Sequence, residues 1–98
     1  MNISKTTINM AARRDIALTI NKLDQVSDTK CLEISIMIDG EAADEYDAAY
    51  RITERGLVWY GSCLTRSTEE WPAWIANEAD LRALLPAIRD ELYNPSKY

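Results

Sequence analysis

Six carboxylates crowd one stretch of the chain: Glu33, Asp39, Glu41, Asp44, Glu45 and Asp47, with Tyr46 and Tyr50 among them. From Cys31 to Glu54 there are seven acids against the single base Arg51, a local charge of −6 in a chain whose net charge is −5. Carboxylates at that density repel phosphates and attract cationic protein surfaces. The two tyrosine rings add flat faces on which arginine can stack. Trp71 and Trp74 are the other side chains suited to contact, because tryptophan and tyrosine dominate the binding energy of protein interfaces. At a spacing of three residues they fit either a lid over the end of the core or an exposed anchor.

The same inventory argues against most catalytic chemistry. The chain has no histidine, so Ser62, Cys63 or Ser67 would lack the usual general base and have only a carboxylate or a lysine to activate it. The adjacent acids Asp44-Glu45, Glu69-Glu70 and Asp90-Glu91 fit solvated faces, since a catalytic pair needs convergent geometry as well as residue type. The loop Asp39 to Asp47 is rich enough in oxygens for calcium, but Ala43 stands where the alternating ligand pattern requires an acid. Two cysteines without histidine do not make a zinc site. Cys31 and Cys63 read as buried free thiols, each in a strand. Gly40, Gly56 and Gly61 are too far apart for a phosphate-cradling loop. No cofactor and no metal are expected.

These residues need a scaffold, and 98 residues suffice for one domain spanning 1–98 with a single core. Ile8, Ala12, Ile16, Ile20 and Leu23 recur at intervals of three and four, which predicts an amphipathic helix from Thr7 to Asp24, with Ser4, Thr6, Thr7 and Asn9 as candidate caps. Gln25 to Lys30 is a polar linker. Leu32, Ile34, Ile36 and Ile38 alternate with Glu33, Ser35, Met37 and Asp39, the pattern of a strand with one buried face. Asp39-Gly40 opens a turn or a longer acidic loop. A second strand from Tyr46 to Thr53 and a third from Leu57 to Thr65 follow, joined by Glu54-Arg55-Gly56.

Ser67-Thr68-Glu69-Glu70 fits a capping box before a helical turn through Trp71 to Ile75. Asn77 caps a last helix, Glu78 to Tyr93, with Leu81, Leu84, Leu85, Ile88 and Leu92 on one face; Pro86 is expected to kink or split it at Leu85. The order predicts an α+β two-layer sandwich, a three-stranded antiparallel meander with both helices on the face of Ile34 and Ile36. The other face then shows Glu33, Ser35, Met37, Asp47 and Arg51 to water or to a partner.

That order of elements resembles the double-stranded-RNA-binding domain. Such domains carry a basic cluster at the start of the second helix, where this chain has Asn77-Glu78-Ala79-Asp80. RNA binding is therefore not expected. In size and charge the chain resembles small acidic inhibitors of phages, anti-CRISPR and anti-restriction proteins among them, which implies a partner protein with a basic, nucleic-acid-binding surface.

The functional expectation is a non-enzymatic protein-binding module that docks through Glu33, Asp39, Glu41, Asp44, Glu45, Tyr46, Asp47, Tyr50, Trp71 and Trp74. It would block nucleic acid by placing carboxylates where phosphates lie. Two other readings are a homo-oligomerising domain, joined through the open sheet face or the edge of the third strand, and a carboxylate-based enzyme or ligand-binding domain centred on the loop Asp39 to Asp47. The start, MNISKTTINM, has no basic head followed by an apolar run, and no apolar stretch is long enough to span a bilayer, so a cytoplasmic location and a monomer or homodimer are expected.

Overall fold

The stripe predicted to run as one helix from Thr7 to Asp24 changes conformation after its first two turns. In the computed structural model, which describes residues 1–22, 28–61 and 71–93, helix α1 covers only Lys5–Ala12. Of the candidate caps, Ser4 takes the role, its hydroxyl accepting from the Thr7 amide at 3.3 Å. Asp15 then adopts a left-handed conformation with φ 59°, which aspartate tolerates better than most residues. Strand β1, Ile16–Lys22, follows. The physical reason for the changed reading is that Ile16 and Ile20 are four apart, a spacing that serves one face of a helix and one face of a strand equally.

Strand β2 spans Lys30–Ile38, β3 Glu41–Ala42, β4 Ala48–Thr53, β5 Gly56–Gly61 and β6 Trp74–Ile75, and helix α2 spans Glu78–Tyr93. All pairings are antiparallel, in the order β1-β2-β4-β5-β6, with β3 folded back on the end of β2. The expected meander is the middle of this sheet, β2, β4 and β5. Strands β1 and β6 extend it on either side, so the element order no longer follows that of the double-stranded-RNA-binding domain. The edge of the third predicted strand, offered as a self-association edge, is covered at its start: Leu57 and Val58 pair with Ile75 and Trp74 of β6. Where a helical turn through 71–75 was expected, the chain bends at Trp71 and Ala73 and enters strand β6 at Trp74, and Trp59 donates its amide to the Ala73 carbonyl at 2.8 Å. The capping box at Ser67 to Glu70, Cys63 and the end of the third predicted strand lie outside the described residues.

Both helices pack on one face, giving the expected two-layer α+β arrangement. Ile16, Leu18, Leu32, Ile34, Tyr50 and Leu57 form the sheet side of the core. Ala11 of α1 and Leu81, Leu85, Ile88 and Leu92 of α2 form the helix side. Asn77 caps α2 as read from the sequence, its side-chain oxygen accepting from the Asp80 amide at 2.8 Å. Pro86 does not split that helix; it sits exposed in the interior of an unbroken run. Leu84, expected on the buried face, is only half-buried.

The second sheet face is more closed than expected. Ser35 is 3% exposed and, with Ala17, Ala49 and Cys31, belongs to the buried set, while Glu33, Met37 and Asp47 are half-buried and Arg51 is exposed. Ser35 stands directly opposite Ala17, so two short side chains meet where the alternation alone had placed an open polar surface.

Candidate functional site

The acidic loop is built by its backbone. Asp39 and Gly40 both take positive φ, 52° and 83°, the geometry of the mirror-image turns that Asp-Gly favours in tight hairpins. That turn lays β3 back along β2, with Met37 opposite Ala42 and Ile38 opposite Glu41. The chain beyond it is tied to β2 twice, by the Ala43 amide on the Ile36 carbonyl at 3.2 Å and by the Asp47 amide on the Ile34 carbonyl at 2.8 Å. Between these ties Asp44 and Glu45 point outward.

Asp39, Glu41, Asp44 and Glu45 are all exposed, and among the described residues none of the four makes an ion pair or a side-chain hydrogen bond. Four negative charges thus share one end of the sheet, and among the described residues no base pairs with them. Asp47 and Tyr46 differ from them, being half-buried and engaged in interactions within the chain. Glu33 is elsewhere: it lies in the middle of β2, pairs with Thr19 and Ala49, and accepts from the Asn21 amide group at 2.8 Å.

The aromatic members of the expected site separate. Tyr50 is completely buried, its ring 5.3 Å from Trp59 in an edge-to-face contact. It faces the helices and offers no surface to a partner, which corrects its assignment to the docking face. Trp71 is half-buried against the core, 6.1 Å from Trp59. Trp74 is 57% exposed, its indole nitrogen donating to the Arg55 carbonyl at 3.1 Å. Since β6 lies three strands from β2, Trp74 is roughly 15 Å from the strand that carries the acidic loop. The loop and Trp74 are separate surface features.

Among the described residues no group of three or more acidic or thiol side chains converges at metal-binding distance. The cavities beside β6 and α2, and a broad cleft at Lys30 and Arg51, are lined by none of the loop residues. Cys31 is buried and unbridged, and burial, with Glu33 nearby, pushes its thiol above the ordinary value, so at neutral pH it is a packed, protonated side chain rather than a nucleophile. In comparison with known proteins, no family model matches this chain, no curated protein matches it, and no solved structure matches it.

Proposed function

We infer that the chain is a protein-binding module without a catalytic step, and that the loop carrying Asp39, Glu41, Asp44 and Glu45 meets a basic surface on another protein. The observation behind this reading is the exposure of all four carboxylates at one end of the sheet, with no ion pair to any of them among the described residues. Such a cluster raises the local concentration of cationic partners and speeds encounter, an effect that weakens as salt screens it. A partner surface that normally holds nucleic acid supplies the matching charge, and the loop then competes with phosphates for the same arginines and lysines. Inhibition of a nucleic-acid-handling complex is the role this reading assigns.

The test is capture of partners from lysate at low and raised salt, by the unaltered chain and by one with Asp39, Glu41, Asp44 and Glu45 changed to lysine. Asp47 is left alone because it is engaged within the fold. Loss of capture on reversal, and salt-sensitive capture by the unaltered chain, are the expected results. Capture that survives reversal would end the electrostatic reading.

One observation favours a second reading, self-association. Strand β1 is an edge of the sheet, seven residues long and free of proline, and such an edge is a template for pairing with a copy of itself. Sedimentation of the purified chain separates the two, because the first reading requires a monomer with its loop available.

A further inference from the structure

We propose that the open half of the β1 edge is a second docking site, which takes an extended segment of a partner protein carrying an aspartate or glutamate two residues from an apolar side chain. The site lies at the end of the sheet away from the acidic loop, and the proposal does not depend on that loop.

The hydrogen-bond register decides which main-chain groups are free. Met37 donates its amide to the Asp15 carbonyl at 3.2 Å, and from there Ile16 stands opposite Ile36 and Lys22 opposite Lys30. In an antiparallel pair the residues that bond across alternate with those that do not, so Ala17, Thr19 and Asn21 turn their backbone groups towards β2. Those of Ile16, Leu18, Ile20 and Lys22 point outward. Ile34 falls in the other set of β2 residues, and its carbonyl accepts the Asp47 amide on the β4 side, as this assignment requires. Ile16 and Leu18 are buried, whereas Ile20 is 37% exposed and Lys22 is exposed. The edge is therefore open at Ile20 and Lys22, and a strand laid there extends the sheet.

Side chains name the occupant. Ile20 and Lys22 share a face of the sheet, Ile20 opposite the fully buried Leu32 and Lys22 directly opposite Lys30. Both lysines are exposed, and among the described residues neither makes an ion pair. Asp28 and Glu54 line the cleft at Lys30 and Arg51, but Lys22 is not part of that cleft. Like charges directly opposite one another destabilise a strand pair. A strand added outside Lys22 takes further water from its ammonium group, and is favoured there only when it brings a carboxylate to that place. An apolar residue two positions along the same strand then lies against Ile20. Lysine on an edge bars neutral strands and admits an acidic one, so the edge selects by sign.

The acidic loop does not oppose this. Strand β2 spans nine residues from Lys30 to Ile38, roughly 26 Å end to end, well beyond the roughly 8–10 Å over which exposed charges act at physiological salt. Nor is a second copy the occupant. Strand β1 holds no acid between Ile16 and Lys22, so pairing two copies of it leaves Lys22 without a counter-charge. Self-association and this proposal compete for one edge, and the oligomeric state separates them.

The experiment is selection of random ten-residue peptides displayed on phage against the full chain, with counter-selection on Ile20→Pro, which removes an outward amide and leaves the bonds to β2 in place. Enriched peptides are expected to carry aspartate or glutamate two residues from an apolar side chain. A synthetic copy of one is expected to lose affinity by about tenfold or more on Ile20→Pro and on Lys22→Glu, and to bind unchanged when Asp39, Glu41, Asp44 and Glu45 are neutralised. Lys22→Glu, at an exposed position, carries the test should the proline variant fail to fold. Peptides that bind through the acidic loop are basic, so either reading can fail alone. No enrichment over the edge variants, enrichment of basic peptides alone, equal affinity for Lys22→Glu, or a dimer dissolved by Ile20→Pro would each overturn the proposal.

Discussion

The hydroxyl of Tyr50, on a side chain with no exposed surface, donates to the carbonyl of Pro72 at 2.7 Å. This bond runs from the centre of the core to the segment that leads into β6. It ties that segment to the middle of the sheet. Tyr50→Phe keeps the ring and its contact with Trp59 but leaves the Pro72 carbonyl without that donor. A cost of about 1 kcal/mol is expected, which lowers the melting temperature by roughly 4–8 °C in a domain of this size. Equal melting of the two proteins would show that the bond contributes nothing to stability.

Burial also pushes the Tyr50 phenol above its ordinary value. The sign follows directly: at alkaline pH the folded chain retains a proton that the unfolded chain releases. Stability is therefore unaffected below about pH 10, the ordinary tyrosine value, and declines as pH rises beyond it. Denaturant unfolding at a series of pH values from neutral to strongly alkaline is expected to show this decline in the unaltered chain and a shallower one in Tyr50→Phe. Parallel curves would mean that Tyr50 is not the group responsible.

Glu78 gives the opposite sign. Hydrogen bonding from Ser4, by side chain and main chain, and from the buried Thr7 hydroxyl at 2.7 Å holds its carboxyl below the ordinary range. These bonds join the start of α2 to the start of α1. Their contribution is complete above the ordinary glutamate value, about 4.3, and disappears as pH falls through the lowered value. Glu78→Gln is expected to cost about 1–2 kcal/mol at neutral pH and little in strong acid. A cost independent of pH would assign the effect to packing rather than charge.

How far these features were legible in the sequence depended on whether one periodicity excluded the other. The alternation through Leu32 to Ile38 is incompatible with a helix, and β2 came out where it was read. Asn77 before a helical run fixed α2 at its start. Ile8 through Ile20 satisfied both periods, and the decisive residue, left-handed Asp15, carries no apolar signal. The acidic loop was readable because its four exposed carboxylates are neighbours in sequence and Asp39-Gly40 dictates the turn. The burial of Tyr50 was legible too, since placing Asp47 and Arg51 on the open face turns Tyr50 toward the helices; its assignment to the docking surface followed its acidic neighbours in sequence instead of that alternation. The partial exposure of Leu84 was invisible for a different reason: by spacing alone it reads as one more core leucine of α2.

Two glycines with positive φ separate the cost of backbone conformation from the cost of contact. Gly40, φ 83°, has open space where a side chain would go; Gly56, φ 127°, lies beneath β6, where a Cβ would overlap the Ile75 carbonyl and come within 2.9 Å of that of Ala76. Backbone atoms held in a strand cannot yield as the tip of a flexible side chain can. Gly40→Ala is therefore expected to cost about 1 kcal/mol, the strain of the left-handed conformation alone. Gly56→Ala adds the displacement of β6 and is expected to cost clearly more. The spectroscopic readout is tryptophan emission: moving β6 breaks the bond from the Trp74 indole to Arg55 and shifts the emission of Gly56→Ala to the red, leaving Gly40→Ala unchanged. Equal losses of stability with unaltered emission in both variants would show that β6 does not rest on Gly56.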